Sequence, residues 1–304
     1  MNRTAKTVEC SIHLIMNSTL RTAQLNVRKQ SSVQLSLMND LGLQHYSAIA
    51  VSEPHVWRAN NKLITTPMGH ANWTKMLPTM QSEDRWAVRS MLWIHKDVEA
   101  EQVPVDSYDL TAAVLYLQEY TVLIVSIYIP CNDEQTLITA MHLINKLIND
   151  ARRKAPKELQ VLLLGDFNRH DQLWGGDAVA SARQGEADPI IELMSTQAMH
   201  SLLPRGTKTW QRGEMETTID LTLTTSGLAA AMTKCEVYET EHGSDHRAIT
   251  TAFDMVLSPR PRKERLLFKN APWNKIREVL AHRLRDLPLD TSVQEQADKL
   301  TDTV

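Results

Sequence analysis

The sequence predicts two packed, mostly antiparallel β-sheets with helices outside them. Strand-like apolar runs outnumber the amphipathic stretches along the chain. Several neighbouring runs lie close enough for hairpins, which argues against an all-parallel sheet. The few amphipathic stretches carry one apolar stripe each, as helices covering a sheet do.

Residues 1–20 read as a lead-in, 21–257 as the main domain, and 258–304 as a basic linker and a C-terminal helix. "AQLNV" (23–27) and "SAIAVS" (47–52) read as strands, and Ser32 between them suits the cap of a short helix carrying Val33, Leu37 and Met38. After a loop rich in Trp, Pro and Met comes the strand "AVRSMLWI" (87–94). "LTAAVLYL" (110–117) and "TVLIVSIYI" (121–129) are separated by three residues and read as a buried hairpin. The stretch 132–150 is an amphipathic helix with Leu137, Met141, Ile144 and Ile148 on one face, Asn132 as N-cap, and Asp133 and Glu134 in the first turn. "LQVLLLGDFN" (159–168) is a buried strand ending in a polar loop. Asp188 caps a helix over 188–199, with Pro189 at its first position. Period-two alternation marks 217–225 as a strand, 248–255 is the last strand, and 272–284 has helical spacing.

The 304 residues are 42% hydrophobic and 23% charged, which is ordinary globular composition, and the net charge of -3 excludes a globally basic nucleic-acid binder. A local basic rim is enough to hold phosphates. Cys10, Cys131 and Cys235 form no metal-binding pair and no disulfide framework, so a reducing compartment is expected. No run of 18 apolar residues exists, so no membrane partner is expected. Cys10 to Met16 does not read as a signal peptide, and the sequons at Asn2, Asn17 and Asn72 are taken as chance. An intracellular location fits these features, and a nuclear one is expected.

Apolar runs repeatedly finish in an acid, an amide or a histidine. Asn26 closes "AQLN", Glu53 closes "AIAVSE", and Tyr128 sits near the end of "VLIVSIYIP". Asp166 and Asn168 close "VLLLGDFN", Asp220 lies inside "TTIDLTLTT", and Asp245 and His246 precede "RAITTAF". A buried, unpaired carboxylate costs several kcal/mol, so such residues need partners, and a divalent cation is a natural one. Carboxylates gathered at one sheet edge suit Mg²⁺ or Mn²⁺, and phosphodiester hydrolysis needs such a site.

In order, "QLN", "SEP", "IYIP", "GDFN", "TIDLTL" and "GSDH" resemble the endonuclease/exonuclease/phosphatase superfamily. "QLNVRKQSSVQLSLMND", "SEPHVWR", "GDFNRHDQLWGGD" and "LLFKNAPWNKIREVL" resemble more closely its branch in non-LTR (LINE-type) retrotransposons. The resemblance spans roughly residues 21–286. It implies a four-layered α/β sandwich. It also implies that Glu53, with Asn26 beside it, holds the metal and that Asp245 assists there or steers His246. By the same resemblance Asp166 positions or deprotonates the attacking water, Asn168 orients phosphate and water, and Tyr128 contacts a phosphate oxygen or the leaving group. His246 would contact the scissile phosphate, with Asp220 orienting it. Such domains usually precede a reverse transcriptase, and no polymerase motif occurs before Val304.

Blander readings stand beside these. An acid can cap a loop, an amide can bond its own turn, and a strand tyrosine can simply pack. Arg28, Lys29, Arg58 and Arg169 flank the motifs and are candidates for phosphate contacts. His170 and Asp171 suit either DNA contact or a solvated loop, and Trp174 and Trp210 are placed to touch nucleic acid. "RRKAPK" (152–157) reads as a solvated helix end, and "RPRKER" (260–265) as a phosphate-binding tail or a solvated run. The expectation is an endonuclease dependent on Mg²⁺ or Mn²⁺ that nicks double-stranded DNA to leave a 3′-hydroxyl, with no small-molecule cofactor. Two alternatives remain: a phosphoesterase of the same superfamily with another substrate, and a silent retroelement relic that only binds nucleic acid.

Overall fold

A computed structural model describes residues 19–60, 62–80, 88–258 and 271–285, without the side chains of Arg58 and of residues 283–285. The chain divides into two compact units, Met1–Arg260 and Pro261–Val304. In the first unit, β1 (Thr19–Asn26) leads through helix α1 (Ser31–Asn39) to β2 (Ala48–Ser52). The strands β3 (Val56–Ala59), β4 (Lys62–Thr65), β5 (Trp73–Met76), β6 (Ser90–His95), β7 (Ala100–Val103), β8 (Leu110–Tyr116) and β9 (Tyr120–Tyr128) follow. Helix α2 (Glu134–Lys154) precedes β10 (Glu158–Asp166), and α3 (Gln172–Gly175) and α4 (Asp188–Thr196) precede β11 (Met199–Ser201). The small strands β12 (Trp210–Arg212) and β13 (Met215–Thr217) come before β14 (Asp220–Thr225), α5 (Ser226–Ala230), β15 (Met232–Val237) and β16 (Ile249–Val256). In the second unit α6 (Trp273–Arg285) is helical where the 272–284 spacing predicts it.

Two six-stranded sheets carry the fold, in the orders β15-β16-β1-β2-β6-β5 and β11-β14-β10-β9-β8-β7. Among the described strands only β1 with β2 and β9 with β10 pair in parallel, so the expected mostly antiparallel character holds. Helix α1 lays Val33, Leu37 and Met38 on the outer face of the first sheet, against Leu25, Val51 and Trp93. Helices α2 and α4 lay Leu137, Ile144, Ile148 and Ile190 on the outer face of the second sheet. The layers are therefore helix, sheet, sheet, helix, as the resemblance implies.

Between the sheets the packing changes character along the strands. One end is apolar, with Leu20, Ala48, Ile94, Val122 and Leu162 in a shared core. Midway, buried hydroxyls replace aliphatic groups. The Ser52 and Ser126 hydroxyls each donate to a backbone carbonyl of the opposite sheet, those of Ile127 and Val51. At the far end Asn26, Asp166 and Asp220 face inward and are nearly fully buried. Alternation along each strand keeps these polar residues on the same face as the aliphatic ones, so hydrophobic packing at one end aims carboxylates at the other.

Several local expectations are corrected. Asp133, not Asn132, caps α2: its Oδ1 accepts the Thr136 amide at 2.9 Å, while Asn132 takes φ 54° ahead of the cap. Gln30 rather than Ser32 precedes α1, with no side-chain cap. Asp188 is the first helical residue of α4 instead of its cap. The first strand begins at Thr19, within the stretch read as a lead-in. The 217–225 run is interrupted, since Thr217 ends β13 and Asp220 opens β14. The segment 260–265 lies outside the described residues. No helix among those described is long and apolar enough to cross a membrane.

Candidate active site

The residues singled out at strand ends meet at the polar rim between the two sheets. Asn26 ends β1 and is 2% exposed. Its amide Nδ2 donates to Glu53 Oε2 at 3.2 Å and to Asp166 Oδ2 at 2.9 Å, so the two carboxylates share one nitrogen across the sheets. Glu53 follows β2 with φ 48°, a left-handed conformation that a non-glycine residue holds only when its surroundings insist. Its amide donates to the Arg89 carbonyl at 2.8 Å and its carbonyl accepts the Lys29 amide at 2.7 Å, which pins that conformation.

Asp166 ends β10, and the glycine before it is what allows the approach. Gly165 pairs with Ile127 and has φ +148°, and a Cβ there would collide with the Ile127 carbonyl oxygen. Asn168, also left-handed at φ 49°, donates its backbone amide to Asp166 Oδ1 at 3.0 Å and its side-chain amide to Asp166 Oδ2 at 2.9 Å. The Cys131 thiol donates to Asn168 Oδ1 at 2.9 Å, which fixes the direction of that amide.

Asp220 opens β14, where the Thr209 hydroxyl oxygen accepts its amide at 3.1 Å. His246 donates Nδ1–H to the Asp220 carboxylate at 2.9 and 3.1 Å. Its Nε2 lies 3.9 Å from Asp166 Oδ2 and 3.9 Å from Asp245 Oδ1. Three contacts hold the His246 segment. The Ser244 hydroxyl donates to the Asn26 carbonyl at 2.7 Å, the Arg247 amide donates to the Thr209 carbonyl at 2.7 Å, and Trp210 bridges His246. Tyr128, half-buried at the end of β9, lies in the fields of Glu53 and Asp166.

Burial dominates the electrostatics. Desolvation, and then the nearby Asp220 charge, push the Asp166 carboxyl up to about 8. Burial works against charging His246, but Asp220, followed by Asp166 and Asp245, outweighs it and lifts the imidazole to about 9. Burial, with Glu53 and Asp166 adding, raises the Tyr128 hydroxyl well above its ordinary range, so it remains a neutral donor.

Asp166, Asp220 and His246 place ligand-type atoms within 4.8 Å of one another, and this buried cluster could hold a cation. The Asp220 carboxylate is already engaged by His246, however. The oxygen donors facing the rim are the carboxylates of Asp166 and Glu53, while Asn26 turns its Nδ2 to both and its Oδ1 accepts the Arg28 amide at 2.9 Å. Oxygen donors suit a hard divalent cation, and a buried carboxyl shifted as far as that of Asp166 is a group a cation would stabilise in its charged form. Arg28 Nε lies 3.3 Å from Asp245 Oδ1, and Lys29 Nζ lies 3.5 Å from Glu53 Oε1, so both outlying acids carry a surface cation.

The flanking candidates for nucleic-acid contact separate. Arg28 is 43% exposed at the side chain. Trp210 is half-buried on β12 beside His246. The side chain of Arg58 is outside the described residues. His170 is tied down, its Nδ1 and its backbone amide both 2.6 Å from Glu186 Oε1. Arg169 is corrected: it is 5% exposed, and its guanidinium donates to the carbonyls of Pro130, Asn168 and Asp133, so it braces the loops under Asn168. Trp174 is likewise a core residue, buried with its indole N–H donating to the Arg169 carbonyl. Sequence reasoning missed Thr209, Ser52, Cys131, Arg89 and Ser244. Only Ser244 carried a signal, as part of "GSDH".

Comparisons with known proteins bear on the family and the fold. Residues 122–250 match the family model described as endonuclease-reverse transcriptase, a segment that holds every candidate from Tyr128 to His246 and omits Asn26 and Glu53. No curated protein matches the chain. Among solved structures, the endonuclease domain of TRAS1, a telomere-specific non-LTR retrotransposon, is 17% identical with a TM-score of 0.61, over 77% of this chain and 98% of that one. The AP endonuclease LMAP from Leishmania major is 12% identical with a TM-score of 0.58, over 80% and 89% of the two chains. The Xenopus laevis APE2 catalytic domain is 13% identical with a TM-score of 0.57, over 80% and 94%. In its fold, and in the family match over residues 122–250, the chain is matched to the endonuclease/exonuclease/phosphatase superfamily.

Proposed function

We propose that this protein is a divalent-metal-dependent endonuclease that hydrolyses phosphodiester bonds in double-stranded DNA and leaves a 3′-hydroxyl. The observation that carries the reading is the meeting of Asn26, Glu53 and Asp166 at one amide nitrogen, opposite the His246–Asp220 pair. Glu53 and Asp166 would hold Mg²⁺ or Mn²⁺, joined by Asn26 once its carboxamide presents its oxygen in place of its nitrogen. When bound, the cation supplies neutralisation of the phosphate and of the charge that develops on it.

The chain's own groups do the rest. Asn168 and Asn26 hold the Asp166 carboxylate by its oxygens, so that it orients the attacking water and accepts its proton. His246 uses one N–H on Asp220 and keeps the other for a phosphate oxygen, where it stabilises the charge of the transition state. The P–O3′ bond breaks, and the neutral Tyr128 hydroxyl hydrogen-bonds the departing oxygen, which takes up a proton as the 3′-hydroxyl forms. The net charge of -3 leaves DNA binding to local cations, and Arg28 at the rim is placed for a phosphate. A nuclear site of action follows from a DNA substrate.

Nicking of supercoiled plasmid by purified protein is the test. The expected result is Mg²⁺-dependent relaxed product, abolished by chelator and lost in Glu53→Ala and Asp166→Asn. No product from the wild type, or equal product from both variants, overturns the reading.

A further inference from the structure

Two charged residues outside every motif sit directly behind the candidate site. Arg89 immediately precedes β6 of the first sheet, and Asp109 immediately precedes β8 of the second. Their side chains form an ion pair with two close approaches: Nη2 donates to Oδ2 at 3.0 Å, and Nε lies 2.7 Å from Oδ1. The Asp109 side chain is 7% exposed and that of Arg89 30%. The Arg89 amide also donates to the Tyr108 carbonyl at 3.2 Å, so backbone and side chains of the same two segments join the sheets. One rung deeper the Ser90 and Thr111 hydroxyls meet at 2.8 Å.

The same two residues hold the site through their carbonyls. The Arg89 carbonyl accepts the amide of Glu53 at 2.8 Å, which helps hold that residue left-handed. The Asp109 carbonyl accepts the amide of Tyr128 at 3.0 Å. Glu53 and Tyr128 belong to different sheets, and a second tie between their segments runs through the preceding residues, from the Ser52 hydroxyl to the Ile127 carbonyl at 2.8 Å. That bond fixes the strands before the two residues, while Arg89 and Asp109 hold the amides of Glu53 and Tyr128 themselves, so the spacing between the Glu53 carboxylate and the Tyr128 hydroxyl depends also on how Arg89 is fastened to Asp109.

We infer that the Arg89–Asp109 ion pair is a positioning element, which sets the carboxylate of Glu53 against the hydroxyl of Tyr128 across the gap between the sheets. The inference rests on the nuclease reading. A planar, two-point guanidinium–carboxylate contact fixes both distance and orientation, which a lysine cannot reproduce. Groups that orient metal ligands from behind commonly change affinity or activity by about 10- to 100-fold when removed.

The experiment compares wild type with Asp109→Asn, Arg89→Gln, Arg89→Lys and the exchanged pair Arg89→Asp/Asp109→Arg. Thr111→Val serves as control, because it loosens the adjacent inter-sheet rung without touching the pair. Mn²⁺ affinity is read by calorimetry, nicking by kcat and KM, and folding by thermal melting. The expected result is a loss of about tenfold or more in kcat and in Mn²⁺ affinity for Asp109→Asn and Arg89→Gln, with KM for DNA little changed. Arg89→Lys should fall between these and wild type, the exchanged pair should recover part of the loss, and Thr111→Val should lower the melting temperature but not kcat. Unchanged kcat and Mn²⁺ affinity in the two single variants overturns the inference. An equal loss in Thr111→Val at equal melting temperature also overturns it, since general loosening then suffices. A wild type that neither binds Mn²⁺ nor nicks DNA is a different result: it removes the nuclease reading, and this inference with it.

Discussion

The Nδ1 atom of His246 lies 2.9 and 3.1 Å from the two carboxylate oxygens of Asp220, at a site where both side chains are almost entirely buried. The pair gives the imidazole a fixed orientation and a raised proton affinity. Asp220→Asn keeps the shape and removes the charge. We predict a fall in kcat of about 100-fold with little change in KM. The alkaline limb of the rate profile should move to lower pH than in the wild type, because Asp220 is the leading group raising His246 against burial. A pH–rate profile with the same limb in both proteins would refute this.

Stability of the cation-free protein should fall as the solution becomes alkaline. Folding raises Asp166 from 3.8 to about 8 and His246 from 6.5 to about 9. In both cases the folded state holds a proton that the unfolded chain releases earlier. The contribution is therefore complete at low pH and is lost as pH climbs, through about 8 for Asp166 and about 9 for His246. Each proton accounts for about 1.4 kcal/mol per pH unit inside its window. Urea midpoints in chelator, for wild type minus Asp166→Asn between pH 5 and 8, should show the slope. Added Mg²⁺ should flatten it. A difference that does not vary with pH would sink the assignment.

Gly165→Ala should damage fold and site together. The added methyl has no room beside the Ile127 carbonyl, and the φ of +148° is one that alanine rarely adopts. We expect a loss of about 1–3 kcal/mol in urea denaturation, as for other overpacked positions. Mn²⁺ affinity should drop as well, because Asp166 is the next residue. A variant that melts and binds Mn²⁺ like wild type would show that β9 and β10 can separate without cost.

Arg28 and Arg169 flank the same motifs but should behave differently. Arg28→Ala removes an exposed cation, so DNA affinity should weaken and the salt dependence of binding should fall by about one counterion. Arg169→Ala removes a guanidinium that serves three carbonyls, so it should destabilise the protein and lower kcat while the salt slope stays as in wild type. Binding isotherms at a series of salt concentrations separate the two. A reduced slope in Arg169→Ala would return that residue to the DNA surface.

The fold was legible wherever long apolar runs or wide amphipathic faces marked it. Strands β1, β2, β6, β8, β9, β10, β14 and β16 and helices α1, α2, α4 and α6 all fall where periodicity places them. The missed strands β3, β4, β5, β7, β11, β12 and β13 are three or four residues long, too short to show a period. Strand β15 is longer, but Thr233, Lys234 and Glu236 break its apolar pattern.

The sequence by itself determined which residue types stand at the ends of the buried strands, because alternation and terminal polar residues are local properties that survive without the third dimension. Only the tertiary structure decided which of them share atoms. The bonds from Asn26 to Glu53 and Asp166, the bond from His246 to Asp220, the burial of Arg169 and the pairing of Arg89 with Asp109 all depend on two sheets meeting face to face. An isolated Arg or Asp carries no mark of a partner that lies far along the chain. Its charge becomes a clamp or a contact only when packing sets its distance from that partner and excludes the water that would otherwise screen it.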